Sequence, residues 1–111
     1  MNESPLFVRT YDFLLWLIPQ VQKFPREYRF TLSERIQQLS LNFQDSLVAA
    51  GKSKGDSRRD NLHQADIQLE QLRVWLRFSR DKSLLTVRQY EHSIRQLKEV
   101  GNLLGAWLKQ V

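Results

Sequence analysis

No proline follows Pro25, so residues 26–111, 86 of the 111 in the chain, contain nothing that forbids a helical amide hydrogen bond. Only four glycines occur, at positions 51, 55, 101 and 105. No Asn-Gly or Asp-Gly pair marks a hairpin, and strict alternation of apolar and polar residues is rare. These features predict an all-α chain, and its length suits a single domain over residues 1–111.

Apolar spacing divides the chain into four helices. The first is expected over about 4–23, with Ser4 as N-cap and Pro5 at the first helical position. Phe7, Tyr11, Leu14, Leu17 and Val21 mark its apolar face. Pro19 should kink it or end it early, and Phe24 and Pro25 break it. The second helix is expected over about 31–50. Thr31 and Glu34 have capping-box spacing, the alternative being that Glu27 to Thr31 is already helical. Leu32, Ile36, Leu39, Phe43 and Leu47 form its stripe, and Gly51 is a natural C-cap. Residues 51–57 read as a flexible loop. The third helix, about 57–81, has its stripe at Leu62, Ala65, Leu69, Leu72 and Leu76. The fourth, about 86–110, steps by three and four through Val87, Tyr90, Ile94, Leu97, Gly101, Leu104 and Leu108. Four amphipathic segments with short connections predict an antiparallel up-and-down four-helix bundle.

The apolar residues exceed what such a bundle needs. Helix four carries a second line at Val100, Leu103, Trp107 and Val111, and helix three has Val74 and Phe78 off its stripe. One stripe per helix suffices for an isolated bundle. The excess predicts self-association through Val74, Phe78, Val100, Leu103 and Trp107. A broad face used inside one molecule is the alternative.

Chemistry-bearing residues are sparse. Cysteine is absent, which excludes a disulfide framework, a thiol nucleophile and a cysteine-ligated zinc, and fits a cytoplasmic setting. His63 and His92 fall on different helices without ligand-spaced neighbours, so no metal, cofactor or catalytic residue is expected, and the chain reads as a non-enzyme. Asp66 and Glu70 precede Arg73 and Arg77 along one helix and suggest an ion-pair lattice. Gly51, Lys52 and Ser53 imitate the end of a phosphate-binding loop, but Ser46 stands where the earlier glycine belongs. The longest apolar run, Leu14–Ile18, is far too short to span a membrane, and the start Met1–Pro5 has no basic leader segment.

Charge is more informative. Lysine and arginine total 17 against 12 acidic residues, a formal net charge of +5. Arg73, Arg77 and Arg80 share one helix face, and Lys82 follows. Lys52, Lys54, Arg58 and Arg59 cluster around the second interhelical loop, and Arg88, Arg95 and Lys98 lie on helix four. The arginine fork suits phosphate, so these residues are candidates for contacts to RNA or DNA that weaken with salt and ignore sequence. A solvated cationic face is the plain alternative. No helix-turn-helix, zinc finger or RNA-recognition motif is present.

Several segments carry a family resemblance. Helix three contains Leu72, Arg73, Val74, Trp75, Leu76, Arg77 and Phe78 in succession. Helix four contains Gly101, Leu103, Leu104, Gly105 and Trp107. Helix two closes with Ala50, Gly51, Lys52 and Ser53, and the first helix holds Leu17, Ile18 and Pro19. In this order the chain resembles the small four-helix-bundle proteins that include the intervening-sequence proteins of large ribosomal RNA. Within them it is most similar to the accessory variability determinant (Avd) proteins of bacterial and phage diversity-generating retroelements. The resemblance implies a homopentamer that binds the retroelement's reverse transcriptase and nucleic acid, supporting mutagenic cDNA synthesis and retrohoming. It carries the binding role to Arg73 and Arg77, and spacing extends it to Arg80 and Lys82. The alternative within the same resemblance is a stand-alone bundle of the intervening-sequence type with a structural or RNA-associated role. A small hydrolase or nuclease is a third reading, opposed by the missing metal constellation. In this setting Gly101 and Gly105, each costing about 1 kcal/mol in a helix interior, imply close approach by a neighbouring helix. Trp75 and Trp107 read as packing anchors rather than base-stacking platforms.

Overall fold

The computed structural model describes residues 4–111. The first three residues of the predicted domain, and with them most of the start read as leader-free, lie outside the described residues.

Pro5 opens helix α1, Pro5–Gln22, at a position where a missing amide hydrogen costs nothing. Ser4 occupies the N-cap with extended backbone, ψ 134°, but its hydroxyl makes no cap bond. The helix does not end early at Pro19. It continues to Gln22, with Leu15 and Pro19 both on the exposed side of the helix. Pro25 then turns the chain.

The expected capping box at Thr31 and Glu34 is not formed. A 3₁₀ turn, Arg26–Tyr28, runs directly into a π-helical turn, Arg29–Ser33, and then into α2, Glu34–Gly51. The chain is already helical when it reaches Thr31, so there is no free helix start to cap. Ser33 instead donates its hydroxyl to the Val21 carbonyl at 2.7 Å, tying this turn to the end of α1. Gly51 stays inside α2, and the cap falls on Lys52 in right-handed conformation. The predicted loop is therefore short, Lys52 to Lys54, before α3, Gly55–Asp81. Gly55 has φ +58°, a conformation that favours glycine.

The turn from α3 into α4, Val87–Leu108, needs a left-handed residue and uses Ser83, φ 60°. The Ser83 amide donates to the Arg80 carbonyl at 2.9 Å and the Leu84 amide to Ser79 at 2.8 Å, the Schellman pattern with serine where glycine is usual. Thr86 and Gln89 cap α4 reciprocally, at 3.0 and 2.9 Å.

The four helices form a bundle in which α2 packs most extensively on α3, and α4 lies between α3 and α1. The molecule measures 43 × 24 × 21 Å, the long axis matching the 27 residues of α3 at about 1.5 Å each. The predicted stripes of α2 and α3 are buried throughout, from Leu32 to Leu47 and from Leu62 to Leu76. On α1, Thr10 and Phe13 are buried in place of Tyr11, which is 59% exposed.

Helix α4 departs most from expectation. Leu97 and Leu104 of the predicted seam are buried, but Ser93 and Val100 complete the buried line and Val87 is 64% exposed. The helix must satisfy two neighbours, so its apolar arc is turned from the predicted seam toward α1. Trp107 packs on Phe7 with ring centroids 6.1 Å apart, and His92 on Trp16 at 4.5 Å. The assignment of Val100 to an intermolecular interface is thereby corrected: at 1% exposure it belongs to the core. Leu103 and Trp107 are half-buried against that core, so the second line of α4 is largely the broad internal face. Val74 and Phe78 remain exposed. The larger uncovered apolar surface lies on α1 and α2, at Val8, Tyr11, Leu15, Leu41 and Val48.

Candidate nucleic-acid and partner interface

The predicted cationic residues fall into two groups at opposite ends of α3, roughly 30 Å apart at about 1.5 Å per residue. The structure does not bring them together on one copy.

At the start of α3, Arg58 turns back over the end of α2. Its Nε donates to the Ala50 carbonyl at 2.9 Å and Nη2 to Gly51 at 3.5 Å. Its guanidinium lies 5.7 Å from the Trp107 ring centroid. Arg58 therefore adds a charged donor to carbonyls at a helix C-terminus, where Ala50 also accepts from the Ser53 amide, and neutralises the negative end of the helix dipole. Arg59 pairs with Asp56 at 3.4 Å in an exposed contact. Lys52 and Lys54 are exposed and make no ion pair among the described residues.

Toward the other end, the arginine face of α3 borders α4. Arg73 reaches across it, its Nη2 donating to the Leu97 carbonyl at 3.4 Å and its Nη1 meeting Glu70 at 3.3 Å. The guanidinium fills the space that Gly101 leaves open. A Cβ at Gly101 would lie 2.6 Å from Nη2 of Arg73 and 3.4 Å from Leu69 Cδ2. The expected close approach is real at Gly101, with an arginine fork as the neighbour. Gly105 has no such neighbour among the described residues.

Arg80 bonds Asp81 at 2.8 Å and covers the Tyr90 ring at 4.6 Å. The hydrogen bond to the Asp81 side chain raises its pKa further above its ordinary value, so its charge is fixed at any working pH. These two crossings, Arg73 to Leu97 and Arg80 to Tyr90, place Arg77 between them. Arg77 is exposed and makes no ion pair among the described residues, as is Lys82 beyond it. The lattice expected from Asp66 to Arg77 thus reduces to one pair, Glu70 with Arg73. Arg88, Arg95 and Lys98 are exposed along α4. Phosphate-sized ligands would meet the unengaged Arg77, Lys82, Lys52 and Lys54 first. Arg58, Arg73 and Arg80 already hold the fold.

Gly101→Ala tests the Arg73 socket. The helix gains about 1 kcal/mol of propensity and loses an arginine–carbonyl contact of similar size. The melting temperature should shift by no more than about 4–8 °C, while Arg73 becomes more reactive toward phenylglyoxal. Unchanged reactivity would mean that the guanidinium does not occupy the glycine slot.

The sequence profile of the bAvd-like family matches residues 6–111, nearly the whole chain. The chain belongs to the bAvd-like family. No curated protein matches it in sequence. Among solved structures it is similar to a protein of unknown function of the S23 ribosomal protein family from Bacteroides thetaiotaomicron, with a TM-score of 0.87 and 17% identity over 98% of this chain and 99% of the other. That likeness establishes the bundle fold. Within the bAvd-like frame, the Leu72–Phe78 segment has a packing role at Arg73 and Trp75 and an open surface at Arg77 and Phe78. No helix is long and apolar enough to cross a membrane, and no three His, Asp or Glu side chains gather as metal ligands, both among the described residues.

Sequence reasoning overlooked one group. Tyr28 and Arg35, on either side of the π-helical turn, line an open groove with Trp75 and Phe78, and Phe30 lies in the adjoining hollow with Arg35. The alternation of Arg26, Tyr28, Arg29 and Phe30 was the available signal.

Proposed function

We propose that this chain is a non-enzymatic accessory subunit of a diversity-generating retroelement, binding the element's reverse transcriptase together with template RNA and cDNA. The observation that carries this reading is the bAvd-like family match across residues 6–111. The excess of cations and the unengaged Arg77, Lys82, Lys52 and Lys54 support phosphate contacts that do not read sequence. The uncovered apolar residues of α1 and α2, Val8, Tyr11, Leu15, Leu41 and Val48, support assembly into a homopentamer. In such a ring the cationic ends repeat, and polymerase and RNA held on one body meet at raised effective concentration. The chain makes and breaks no bond, and acts in the cytoplasm of a bacterium.

Reconstitution with the neighbouring reverse transcriptase and its RNA tests this directly. cDNA yield should rise markedly when the protein is added, and native mass spectrometry should show about five copies. Equal yield with and without it would leave the stand-alone intervening-sequence reading in its place. Metal-dependent turnover of RNA by the protein alone would overturn the non-enzymatic role.

A further inference from the structure

The π-helical turn and α3 enclose a groove of about 390 Å³ lined by Tyr28, Thr31, Leu32, Arg35, Trp75 and Phe78. Three features set it apart from an ordinary seam. Its walls are aromatic: Trp75 and Phe78 meet edge to face at 5.6 Å, with Tyr28 across from them. Phe30, in the adjoining hollow with Arg35, is 83% exposed and so contributes little to the core. Finally, its rim is cationic. Arg35 lines the groove and Lys82 adjoins its Phe78 wall, and both are exposed and make no ion pair among the described residues. Lys82 Nζ lies 6.0 Å from the Phe78 ring.

Aromatic faces flanked by unpaired cations are the chemistry that holds unpaired bases, since every base presents a π-face and every linkage a negative charge. A duplex offers no free base face to such a groove, whereas a single strand does. An apolar peptide would fill the walls but leave the rim charges unanswered. A wide helical turn is also an uncommon feature, frequent at functional sites.

We infer that this groove and the adjoining hollow together take a single-stranded stretch of RNA or DNA, its bases stacked on Trp75 and Phe78 in the groove and on Phe30 in the hollow, and its phosphates held by Arg35 and Lys82. The inference rests on the nucleic-acid reading above and adds to it a site and a strandedness. It also gives a different use to Phe78, first read as part of an interface between copies, and to the groove-lining side of Trp75, first read as a packing anchor alone.

The test titrates the full-length protein with a fluorescein-labelled single-stranded RNA and with a duplex of equal length. Phe30→Ala and Phe78→Ala remove exposed rings and should leave the fold intact, which circular dichroism verifies. Each should weaken single-strand binding by about tenfold and leave duplex binding unchanged. Arg35→Ala should lower the salt dependence for the single strand. If both alanine variants bind the single strand like the parent, or lose single strand and duplex equally, the stacking groove is wrong while the nucleic-acid reading stands. Loss of reverse transcriptase binding with RNA affinity intact would assign the groove to a protein and overturn the inference. A parent protein that binds neither nucleic acid overturns both.

Discussion

Val100→Asp is expected to unfold the protein rather than dissociate it. Val100 is sealed between α4 and the rest of the core at 1% exposure. A carboxylate at so buried a position loses its hydration, a defect worth about 3–5 kcal/mol. Domains of this size have about 5–15 kcal/mol in total, and each kcal/mol moves the melting temperature by roughly 4–8 °C. A fall of about 15 °C or more in a thermal melt followed by circular dichroism is the expected result. Val74→Asp, on the exposed face of α3, should change stability by no more than about 0.5 kcal/mol. The pair separates core from surface. If Val100→Asp keeps its helical signal and melting point, the placing of α4 against α1 and α3 is wrong.

Charge reversal at Arg77 and Lys82 should give the largest functional loss. Both are exposed and free of ion pairs among the described residues, so the double variant Arg77→Glu and Lys82→Glu leaves the helices undisturbed. Each phosphate contact on a single strand contributes about 0.7 to the slope of log affinity against log salt. Losing two should flatten that slope by roughly 1.4, which near 0.1 M salt corresponds to about 25-fold weaker binding, before any repulsion by the new carboxylates. Anisotropy titrations across a salt series read both quantities. Unchanged affinity and slope would move the phosphate surface elsewhere. Arg73 and Arg58 are poor choices for this experiment. Reversal there would set a carboxylate against the Leu97 or Ala50 carbonyl and confound binding with folding.

The parts of the fold that were legible in the sequence are those governed by one neighbouring surface. The stripes of α2 and α3 face a single core, so spacing alone identifies Ile36, Leu47, Leu69 and Leu76 as buried. Helix α4 serves two neighbours, so Leu97 and Leu104 of its predicted seam are buried but Val100 and Ser93 join them and Val87 does not, because a periodic pattern reports an arc and not what covers each side. That Glu27 to Thr31 is already helical stood as the alternative, but the π-helical form of the turn at Arg29–Ser33 was not legible, for another reason. It is held by Ser33 reaching Val21, a contact made only once α1 is in place. Left-handed Ser83 likewise carries no local mark, since glycine is the usual signal there. The start of helix four near Thr86 was predicted, but the Thr86–Gln89 capping box was not singled out although its spacing is present in the sequence. Of the cationic candidates, residue type and face were legible, but engagement was not. Only tertiary structure separates Arg73, folded over Gly101, from Arg77, which points into solvent.

The wide turn before α2 holds one residue more than a regular helical turn. Elsewhere in α2, deleting a residue would rotate everything beyond it by about 100° and swing Ile36 and Leu47 away from their partners. A deletion within Arg29–Ser33 would only tighten the turn and leave the downstream register intact. Length changes in chains of this kind should therefore collect just ahead of Glu34, and a shortened version would keep its bundle while losing its groove.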